Sequence, residues 1–313
     1  MNTYIAVDIG GTHIRAGLYP LDTFTPIKLE RTSTHYNSTT PLDRLITLIA
    51  SIWPETGKVV GIGAASPGLI DPHHGIIQEA PNIQGWVNFP LRQNLQERFH
   101  VPVYLGNDAN LAALGEWKYG AGQGHHNLLY LTISTGIGGG VIIDDRLLVG
   151  AQGLAAELGH VTVLPDGPLC SCGRRGHLEA LASGPGITRW VEQELRSGAA
   201  SRLTPGSELT AKAIGIAASS GDALAIAALA RSGNFIGRAL ADYLHIFNPS
   251  IVIIGGGVSS TGDLLLEPMR LAMLENVISQ AYTENLILTT TTLGDEAGLM
   301  GALALAHSQA KEG

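Results

Sequence analysis

The sequence predicts an α/β protein whose two related halves face one another across a cleft. The chain has 313 residues, which is more than one hydrophobic core usually organises, so we expect two domains. Short apolar runs typical of buried strands alternate along the chain with helical patterns. Residues 5–12 and 130–140 are built alike, because in each an apolar strand leads into a polar glycine turn and a second apolar strand. This internal similarity indicates that the two halves have related structures.

The first half is predicted to contain three buried strands and one well-marked helix. The strands are the apolar runs at residues 4–7, 59–64 and 103–105. Thr40 and Asp43 flank Pro41 in the pattern of a capping box with proline at the first helical position. Apolar residues then recur at helical spacing until Pro54, which predicts a helix that begins at Pro41 and ends before Pro54.

The second half repeats the alternation of strands and helices. Strands are predicted at residues 128–132, 140–143 and 249–254, and the last of them leads into a run of three glycines at 255–257. Helices are predicted at residues 211–230, 235–247 and 298–307. No linker or low-complexity stretch separates the halves, so we expect them to pack against each other.

Composition excludes several classes of protein. The net charge is −8 and no cluster of Lys or Arg is present, so neither nucleic acid nor an anionic membrane is expected as a partner. Two cysteines cannot form a disulfide framework, which favours a reducing compartment. The N-terminus lacks the pattern of a signal peptide, and the longest apolar stretch, near residues 251–258, is too short for a bilayer. We therefore expect a soluble cytoplasmic protein.

The only two cysteines of the chain, Cys170 and Cys172, lie between His160 and His177. Two thiolates and two imidazoles are ligands that suit tetrahedral Zn²⁺, and the intervening glycines and prolines allow the backbone to bring them together. Four protein ligands leave no open position, so the predicted zinc is structural. The alternative is a pair of small buried thiols near unrelated histidines.

A glycine turn follows the first strand and carries Asp8, Gly10, Gly11 and Thr12. Bare backbone N–H groups and a threonine hydroxyl can hold a phosphate there, with Asp8 facing its Mg²⁺. An ordinary hairpin turn is the alternative, since glycine pairs are common in hairpins.

A second turn of the same kind contains Thr135, Gly136 and Gly138. Two such turns strengthen the phosphate hypothesis over either turn alone. Neither turn has the Lys-Ser/Thr of a Walker loop, and neither opens a helix as a dinucleotide-binding loop does.

A carboxylate and an amide, Asp108 and Asn107, follow the strand at residues 103–105. A carboxylate at the carboxyl end of a strand can accept a hydroxyl proton while the neighbouring amide orients the acceptor. The alternative is a helix cap, a common role for this residue type.

Other polar groups are candidates for contact with a polyol. Ser66, Gly68 and Asn82 lie in predicted loops, and Glu157 and Glu179 flank the cysteine–histidine segment. Loop polarity is common, so the two glutamates are equally consistent with plain surface carboxylates.

Together these motifs resemble the ROK family of bacterial sugar kinases and sugar-sensing repressors, within the actin/hexokinase-like ATPase superfamily. The resemblance covers nearly the whole chain, and the residues around Glu157 and at 164–167 are most similar to the ATP-dependent glucokinases of that family. One departure is that the family pattern has a third cysteine where this chain has His177.

The resemblance implies two ribonuclease-H-like (actin/hexokinase-type) domains around a cleft that closes on substrate. Residues 1–118 with 298–313 would form the smaller N-terminal domain, and residues 119–297 the larger C-terminal domain with the zinc ligands. The implied cofactors are ATP, Mg²⁺ and structural Zn²⁺. Relatives are often dimers, so a homodimer is an open expectation.

The implied reaction is phosphorylation of a hexose by ATP at the 6-hydroxyl, with glucose as the expected hexose. Asp108 would be the general base and Asp8 would orient Mg²⁺. The resemblance also assigns a nucleotide pocket lined by Gly255, Gly256 and Gly257, and ring contacts from Asn107, Glu157, His160 and Glu179. A kinase for mannose, fructose or an N-acetylhexosamine is the alternative, as is a sugar-sensing regulator that lacks the DNA-binding module which such regulators carry ahead of this core.

Overall fold

Two five-stranded sheets form the framework of the chain, which a computed structural model describes at residues 1–35, 39–206 and 208–312. The strands are β1 (Asn2–Ile9), β2 (His13–Pro20), β3 (Lys28–Ser33), β4 (Lys58–Ser66), β5 (Leu69–Asp71), β6 (Ile76–Glu79), β7 (Val87–Phe89), β8 (Val103–Asn107), β9 (Leu128–Ile133), β10 (Ile137–Ile143), β11 (Arg146–Leu147), β12 (Ile251–Gly255) and β13 (Ile287–Thr290). The helices are α1 (Pro41–Ser51), α2 (Leu91–Phe99), α3 (Asp108–Tyr119), α4 (Leu178–Ala182), α5 (Gly184–Arg196), α6 (Ala211–Ser219), α7 (Ala223–Phe247), α8 (Asp263–Asn276) and α9 (Ala297–Glu312).

The two large sheets have the same topology. Their strand orders are β3-β2-β1-β4-β8 and β11-β10-β9-β12-β13, which is 3-2-1-4-5 when the strands are counted along each half. In both sheets the first three strands pair antiparallel and the last two add in parallel. The prediction of two related ribonuclease-H-like halves is confirmed, while the exact domain boundaries stay a prediction.

The parallel strands of the first sheet bring polar residues to one edge. Asp8 is aligned with Ala65 of β4, and Ala65 is aligned with Gly106 of β8. The carboxyl ends of β1 and β8 therefore lie at the same edge, about 10 Å apart across the intervening strand. Because α3 begins at Asp108 directly after β8, this edge carries both Asp8 and Asp108.

Helices α3 and α9 lie between the two sheets and cross each other closely. Helix α9 packs on β1, β4 and β8, whereas α3 packs on β9 and β10. A Cβ atom at Gly301 would lie 1.7 Å from the carbonyl oxygen of Leu111, and one at Gly115 would lie 2.5 Å from that of Ala297. The crossing therefore depends on glycine in both helices, which lets the two backbones touch.

The strongest elements of the sequence prediction are confirmed. The three strands predicted in the first half lie within β1, β4 and β8, and α1 begins at Pro41. The Thr40 side chain accepts a hydrogen bond from the Asp43 backbone N–H, and Asp43 reaches back to the Thr40 backbone. Two other segments are longer than predicted, because β10 starts at Ile137 and α9 runs from Ala297.

The predicted break between two helices in the second half is wrong. Helix α6 ends at Ser219, and α7 then continues without interruption from Ala223 to Phe247. Asp222 caps α7 by accepting a hydrogen bond from the Ala225 backbone N–H, and Gly221 has a φ of +83° that ends the preceding turn. Within the segment predicted to separate the two helices, Gly233 lies where α7 packs closely on α8, and a Cβ there would lie 2.5 Å from the Leu265 carbonyl oxygen.

Helix α7 is long and apolar, and it is largely buried against its neighbours. It packs against α4, α5, α6 and α8. Within the described part of the chain, no single helix has the length and apolar composition needed to cross a membrane. Helices α6 and α7 meet these two criteria only when they are taken together, and the pair is bent by 116°.

Replacement of Gly63 by alanine is expected to destabilise the fold, because a Cβ there would lie 1.9 Å from the Ala302 carbonyl oxygen of α9. Overpacking against backbone cannot be relieved by a rotamer change, so Gly63→Ala should lower the free energy of unfolding by about 3 kcal/mol in urea titrations. Gly61, two residues earlier on β4, has its nearest neighbours at 3.5 Å. Gly61→Ala is the matched control and should leave stability unchanged or raise it by about 0.5 kcal/mol; equal losses in both variants would contradict the account.

Candidate functional site

Asn107 and Asp108 lie at the start of α3, where Asn107 caps the helix and Asp108 is its first residue. The Asn107 side-chain oxygen accepts hydrogen bonds from the backbone N–H groups of Ala109 (3.0 Å) and Asn110 (3.1 Å), so Asn107 is the helix cap. Its amide group donates to the Gly68 carbonyl oxygen at 3.1 Å. The Asp108 carboxylate accepts a hydrogen bond from the Ala109 backbone N–H at 2.8 Å. Capping by Asn107 therefore leaves Asp108 available to a reacting group.

The environment of Asp108 brings the pKa of its carboxyl group close to neutral pH. Burial, followed by the negative charges of Asp8 and Glu157, raises the pKa of Asp108 to about 7 against the lowering effect of the Ala109 hydrogen bond. A carboxyl group with a pKa close to the working pH can accept a proton and release it again. The geometry therefore suits Asp108 to general base catalysis.

Asp8 is held by a cross-strand arginine that the sequence motifs did not single out. Arg15 on β2 is the register partner of Asp8, and its Nη2 lies 2.5 Å from the Asp8 Oδ2. The same guanidinium nitrogen donates to the Asp295 carbonyl oxygen. A Cβ at Gly298 would lie 3.1 Å from the Asp8 Oδ1, so the carboxylate faces the start of α9. A prediction of the β1–β2 hairpin register from the sequence could have found Arg15, because that register places residue 15 opposite residue 8.

The first glycine turn joins β1 to β2 and opens towards Asn82. The Gly10 carbonyl oxygen accepts a hydrogen bond from the Thr34 hydroxyl (2.6 Å), and the Thr12 carbonyl oxygen accepts one from the Thr34 backbone N–H (2.8 Å). The Cα of Gly11 approaches Asn82 so closely that a Cβ would lie 3.1 Å from the Asn82 Cβ. The structure thus brings a predicted phosphate turn beside a predicted polyol contact.

Ser66 and Gly68 lie at the end of β4, below the surface of the cleft. The Ser66 side chain is fully buried. Gly68 has a φ of +94°, and a Cβ there would lie 2.0 Å from the Glu79 carbonyl oxygen. Both residues shape the loop that receives the Asn107 amide group, and direct contact with a ligand stays a prediction.

The second glycine turn consists of residues 134–136 between β9 and β10. The Ser134 backbone N–H donates to the Gly136 carbonyl oxygen at 2.8 Å, and the Ser134 carbonyl oxygen accepts from the Gly184 N–H of α5 at 2.8 Å. A Cβ at Gly136 would lie 2.6 Å from the Glu179 Oε2. The turn, including the exposed Thr135, is therefore supported by α5 on one side and by Glu179 on the other.

Gly138, which the sequence had predicted to be part of this turn, belongs to β10 together with Gly139 and Gly140. A Cβ at Gly138 would lie 2.8 Å from the Ala109 Cβ, and one at Gly140 would lie 2.5 Å from the Ala113 Cβ. These two glycines admit α3 to the face of the sheet, and Gly139 admits the Leu158 side chain on the other face. Their observed role is packing, and phosphate contact by Gly138 stays a prediction.

Glu179 and Glu157 approach the cleft from the cysteine–histidine segment. The Glu179 Oε2 accepts a hydrogen bond from the Ile137 backbone N–H at 3.1 Å, and its Oε1 accepts from the Ser171 hydroxyl at 2.8 Å. Burial raises the pKa of Glu157, while His160, whose Nε2 is 4.0 Å from the Glu157 Oε2, counteracts this effect. Glu179 is thus fixed by two hydrogen bonds, whereas Glu157 is partly buried beside His160.

His160, Cys170, Cys172 and His177, hereafter the Cys–His cluster, are brought together as predicted. One ligand atom from each lies within 4.8 Å of all the others. The two Nδ1 atoms are 3.3 Å apart, and the sulfur–nitrogen distances are 3.7 Å for Cys170–His160 and 3.2 Å for Cys172–His177.

These distances match a tetrahedral zinc site. Zn–S bonds of about 2.3 Å and Zn–N bonds of about 2.0–2.1 Å place two nitrogens about 3.3 Å apart and a nitrogen and a sulfur about 3.5 Å apart. Burial lowers the pKa of His177, which favours the neutral imidazole that a metal requires. The four residues therefore fit Zn²⁺ in both geometry and chemistry.

A cavity of about 1160 Å³ extends from the second glycine turn between α5, α6 and the segment after β12. Its lining includes Thr135 and Gly257 from the predicted set, together with residues that sequence reasoning missed, among them Thr188, Arg189, Lys212 and Thr261. Gly255 and Gly256 lie behind the cavity wall. A Cβ at Gly255 would be 2.3 Å from the Tyr130 hydroxyl oxygen, and one at Gly256 would be 2.3 Å from the Ile133 carbonyl oxygen. The cavity volume and the hydroxyl and cationic side chains in its lining suit a nucleotide-sized ligand.

Comparison with known proteins agrees with this arrangement. The sequence model of the ROK family matches residues 4–309. A glucokinase of Thermotoga maritima is 39% identical over 307 residues, which is 96% of this chain and 96% of that protein. A xylose repressor of Caldicellulosiruptor bescii is 36% identical over 260 residues, covering 82% of this chain and 64% of the repressor. A solved structure of a ROK family glucokinase from Streptomyces griseus in complex with glucose and AMPPNP is 36% identical, has a TM-score of 0.83, and aligns over 98% of this chain and 99% of its own.

Proposed function

The chain belongs to the ROK family, and from that premise we propose that it transfers the γ-phosphoryl group of ATP to the 6-hydroxyl of glucose. The observation that carries this proposal is the carboxyl group of Asp108, whose pKa burial raises to about 7 at the edge of the cleft. Similarity to glucokinases over almost the full chain supports glucose as the acceptor and ATP as the donor. The product is glucose 6-phosphate.

Asp108 acts as the general base in this reaction. Its carboxylate accepts the proton of the 6-hydroxyl while that oxygen bonds to the γ-phosphorus of ATP. The bond from the γ-phosphorus to the bridging oxygen breaks, and ADP leaves. In phosphoryl transfer the protein contributes mainly position and charge, so a fixed carboxylate at the hydroxyl is the central requirement.

The sugar ring lies against the polar groups that surround Asp108. Glu157 and Glu179 supply carboxylate acceptors for ring hydroxyls, and His160 lies 4.0 Å from Glu157. Asn107, tied to the Gly68 carbonyl oxygen, orients the base. Asn82, beside Gly11, closes the far side of the ring.

The nucleotide occupies the cavity beside α5 and α6, with adenosine near Gly257 and the phosphates near Thr135 and Gly136. The turn at Gly10–Thr12 approaches the phosphates from the first sheet. Asp8 is the residue that would hold Mg²⁺, and its carboxylate chemistry suits that hard cation. Mg²⁺, when bound, supplies positive charge against the phosphate oxygens.

The Cys–His cluster holds a structural zinc ion in this proposal, since its four ligands leave no open position. The cluster also reaches the sugar site directly, because Ser171, which lies between its two cysteines, donates a hydrogen bond to the Glu179 Oε1. Its role is therefore to fix Glu179 and His160 at the sugar, and His177 takes the place of the family's third cysteine.

Asp108→Asn is expected to lower kcat for glucose and ATP by about 10²- to 10⁴-fold, because the amide cannot accept the proton. Glucose affinity, measured by isothermal titration calorimetry, should change less than about threefold, since Asn keeps the size and hydrogen-bonding capacity of the side chain. A coupled assay with a panel of hexoses, with ATP and with polyphosphate, gives the parent enzyme's preference. Near-full activity of Asp108→Asn would refute the base, and no turnover of any hexose by the parent would refute the kinase.

The purified protein is expected to contain about one zinc ion per chain by elemental analysis. His177→Ala should lose that zinc and weaken glucose binding, because Glu179 would no longer be fixed by the cluster, while His177→Cys should retain it. His73→Ala, which changes a loop histidine outside the cluster, is the control. A parent protein that binds glucose normally without zinc would show that the loop needs no metal.

A further inference from the structure

Glu116 on α3 is a fully buried carboxylate that none of the motifs singled out. In residues 1–35, 39–206 and 208–312, no Lys, Arg or His forms an ion pair with it. Its hydrogen bonds come instead from neutral donors. The Oε1 accepts from the backbone N–H groups of Thr292 (3.1 Å) and Leu293 (2.9 Å) and from the Thr291 hydroxyl. The Oε2 accepts from the Ala121 N–H (2.9 Å) and the Thr292 hydroxyl (3.2 Å).

An arrangement of this kind has a specific physical cost. A buried carboxylate loses its hydration, and only a complete set of hydrogen bonds offsets that loss. Here four of the five donors come from Thr291, Thr292 and Leu293, which are more than 170 residues away from Glu116 in sequence. Gly120 leaves the space that the carboxylate needs, since a Cβ there would lie 2.2 Å from the Glu116 Oε2. The charge therefore fixes α3 to one particular segment.

That segment, residues 291–298, connects β13 to α9, and its other end contacts Asp8. The Asp295 carbonyl oxygen accepts a hydrogen bond from Arg15, which pairs with Asp8. A Cβ at Gly298 would lie 3.1 Å from the Asp8 Oδ1. The connecting segment is thus held by Glu116 at its start and lies against Asp8 at its end.

Helix α3 completes a link between the two carboxylates of the cleft. Asp108 is its first residue and Glu116 its ninth, so the two lie about 12 Å apart along one rigid helix. From Glu116 the contacts continue through the connecting segment to Asp8. The close crossing at Gly115 and Gly301 lies beside this link. A change at Glu116 therefore alters the placement of Asp108 relative to Asp8, although neither residue touches Glu116.

We propose that Glu116 is a positioning residue for phosphoryl transfer, which holds Asp108 and Asp8 at their working separation by anchoring the connecting segment to α3. The inference rests on the proposed kinase function, because it assigns Glu116 a part in that reaction. It differs from a purely structural role, which would support the fold without affecting the folded enzyme's turnover.

The test is Glu116→Gln, assayed at saturating glucose and ATP. The amide has the shape of the carboxylate, but it accepts hydrogen bonds at one atom only and carries N–H donors at the other. In either orientation its NH2 group faces a backbone N–H, that of Ala121 or those of residues 292–293, so the anchor is weakened. We expect kcat to fall at least 20-fold while the glucose dissociation constant changes less than threefold. The acid limb of the pH–kcat profile should also move to lower pH. Burial and the charge of Asp8 both raise the pKa of Asp108 in the parent, and both effects would weaken because Asp108 would be less buried and farther from Asp8.

Two further variants keep the test decisive. Thr292→Val removes one hydroxyl donor to Glu116 and keeps the backbone, so kcat should fall three- to tenfold with the same direction of pH shift. Glu275→Gln removes an exposed carboxylate of α8 and should leave kcat and the pH profile unchanged. Parent activity alone decides the kinase function, whereas the ratio of variant to parent decides the role of Glu116.

A folded Glu116→Gln enzyme with a lower melting temperature but the parent's kcat and pH profile would overturn the proposal. If Glu116→Gln does not fold, Thr292→Val decides, and parent-like kcat and pH profile in that variant overturn the proposal as well.

Discussion

The structure depends on the placement of one partly desolvated carboxyl group, Asp108, next to a second carboxylate, Asp8. Two like charges come together only where the fold forces them to, and here two parallel strands, β1 and β8, end at the same edge of the first sheet. Burial and the charge of Asp8 then raise the pKa of Asp108 to about 7. Repulsion that would disfavour folding elsewhere gives Asp108 the pKa that the proposed general base needs.

The rest of the molecule supports that edge from two directions. The second sheet repeats the strand order of the first and supplies the turn at Thr135 and Gly136 opposite Asp108. The Cys–His cluster reaches the same turn through Glu179, whose two oxygens are held by Ile137 and Ser171. The Cys–His cluster and the second glycine turn therefore share one carboxylate. This connection gives the cluster a role in the cleft that a remote zinc site would not have.

The sequence predicted those parts of the site that are encoded by neighbouring residues. The carboxylate after β8, the Cys–His cluster and the capping box of α1 are each readable within a few residues, and all three lie where they were predicted. Contacts between distant segments were missed. The role of Glu116 depends on its hydrogen bonds with residues 291–293, and that of Arg15 depends on the β1–β2 register that places it opposite Asp8. Gly138 was predicted to lie in a turn, but it allows the close packing of α3 on β10, a contact between segments that are distant in sequence.

The most direct test of this account is the pKa of Asp108 itself. Carbon-13 NMR of aspartate-labelled protein, with the Asp108 side-chain signal assigned by its absence in Asp108→Asn, reports protonation of this carboxyl group without reference to turnover. We predict a titration midpoint close to 7 in the parent protein and a clearly lower midpoint in Asp8→Asn, because the like charge would be gone. A midpoint near 4, the ordinary value for aspartate, would contradict the claim that the fold prepares Asp108 as a base.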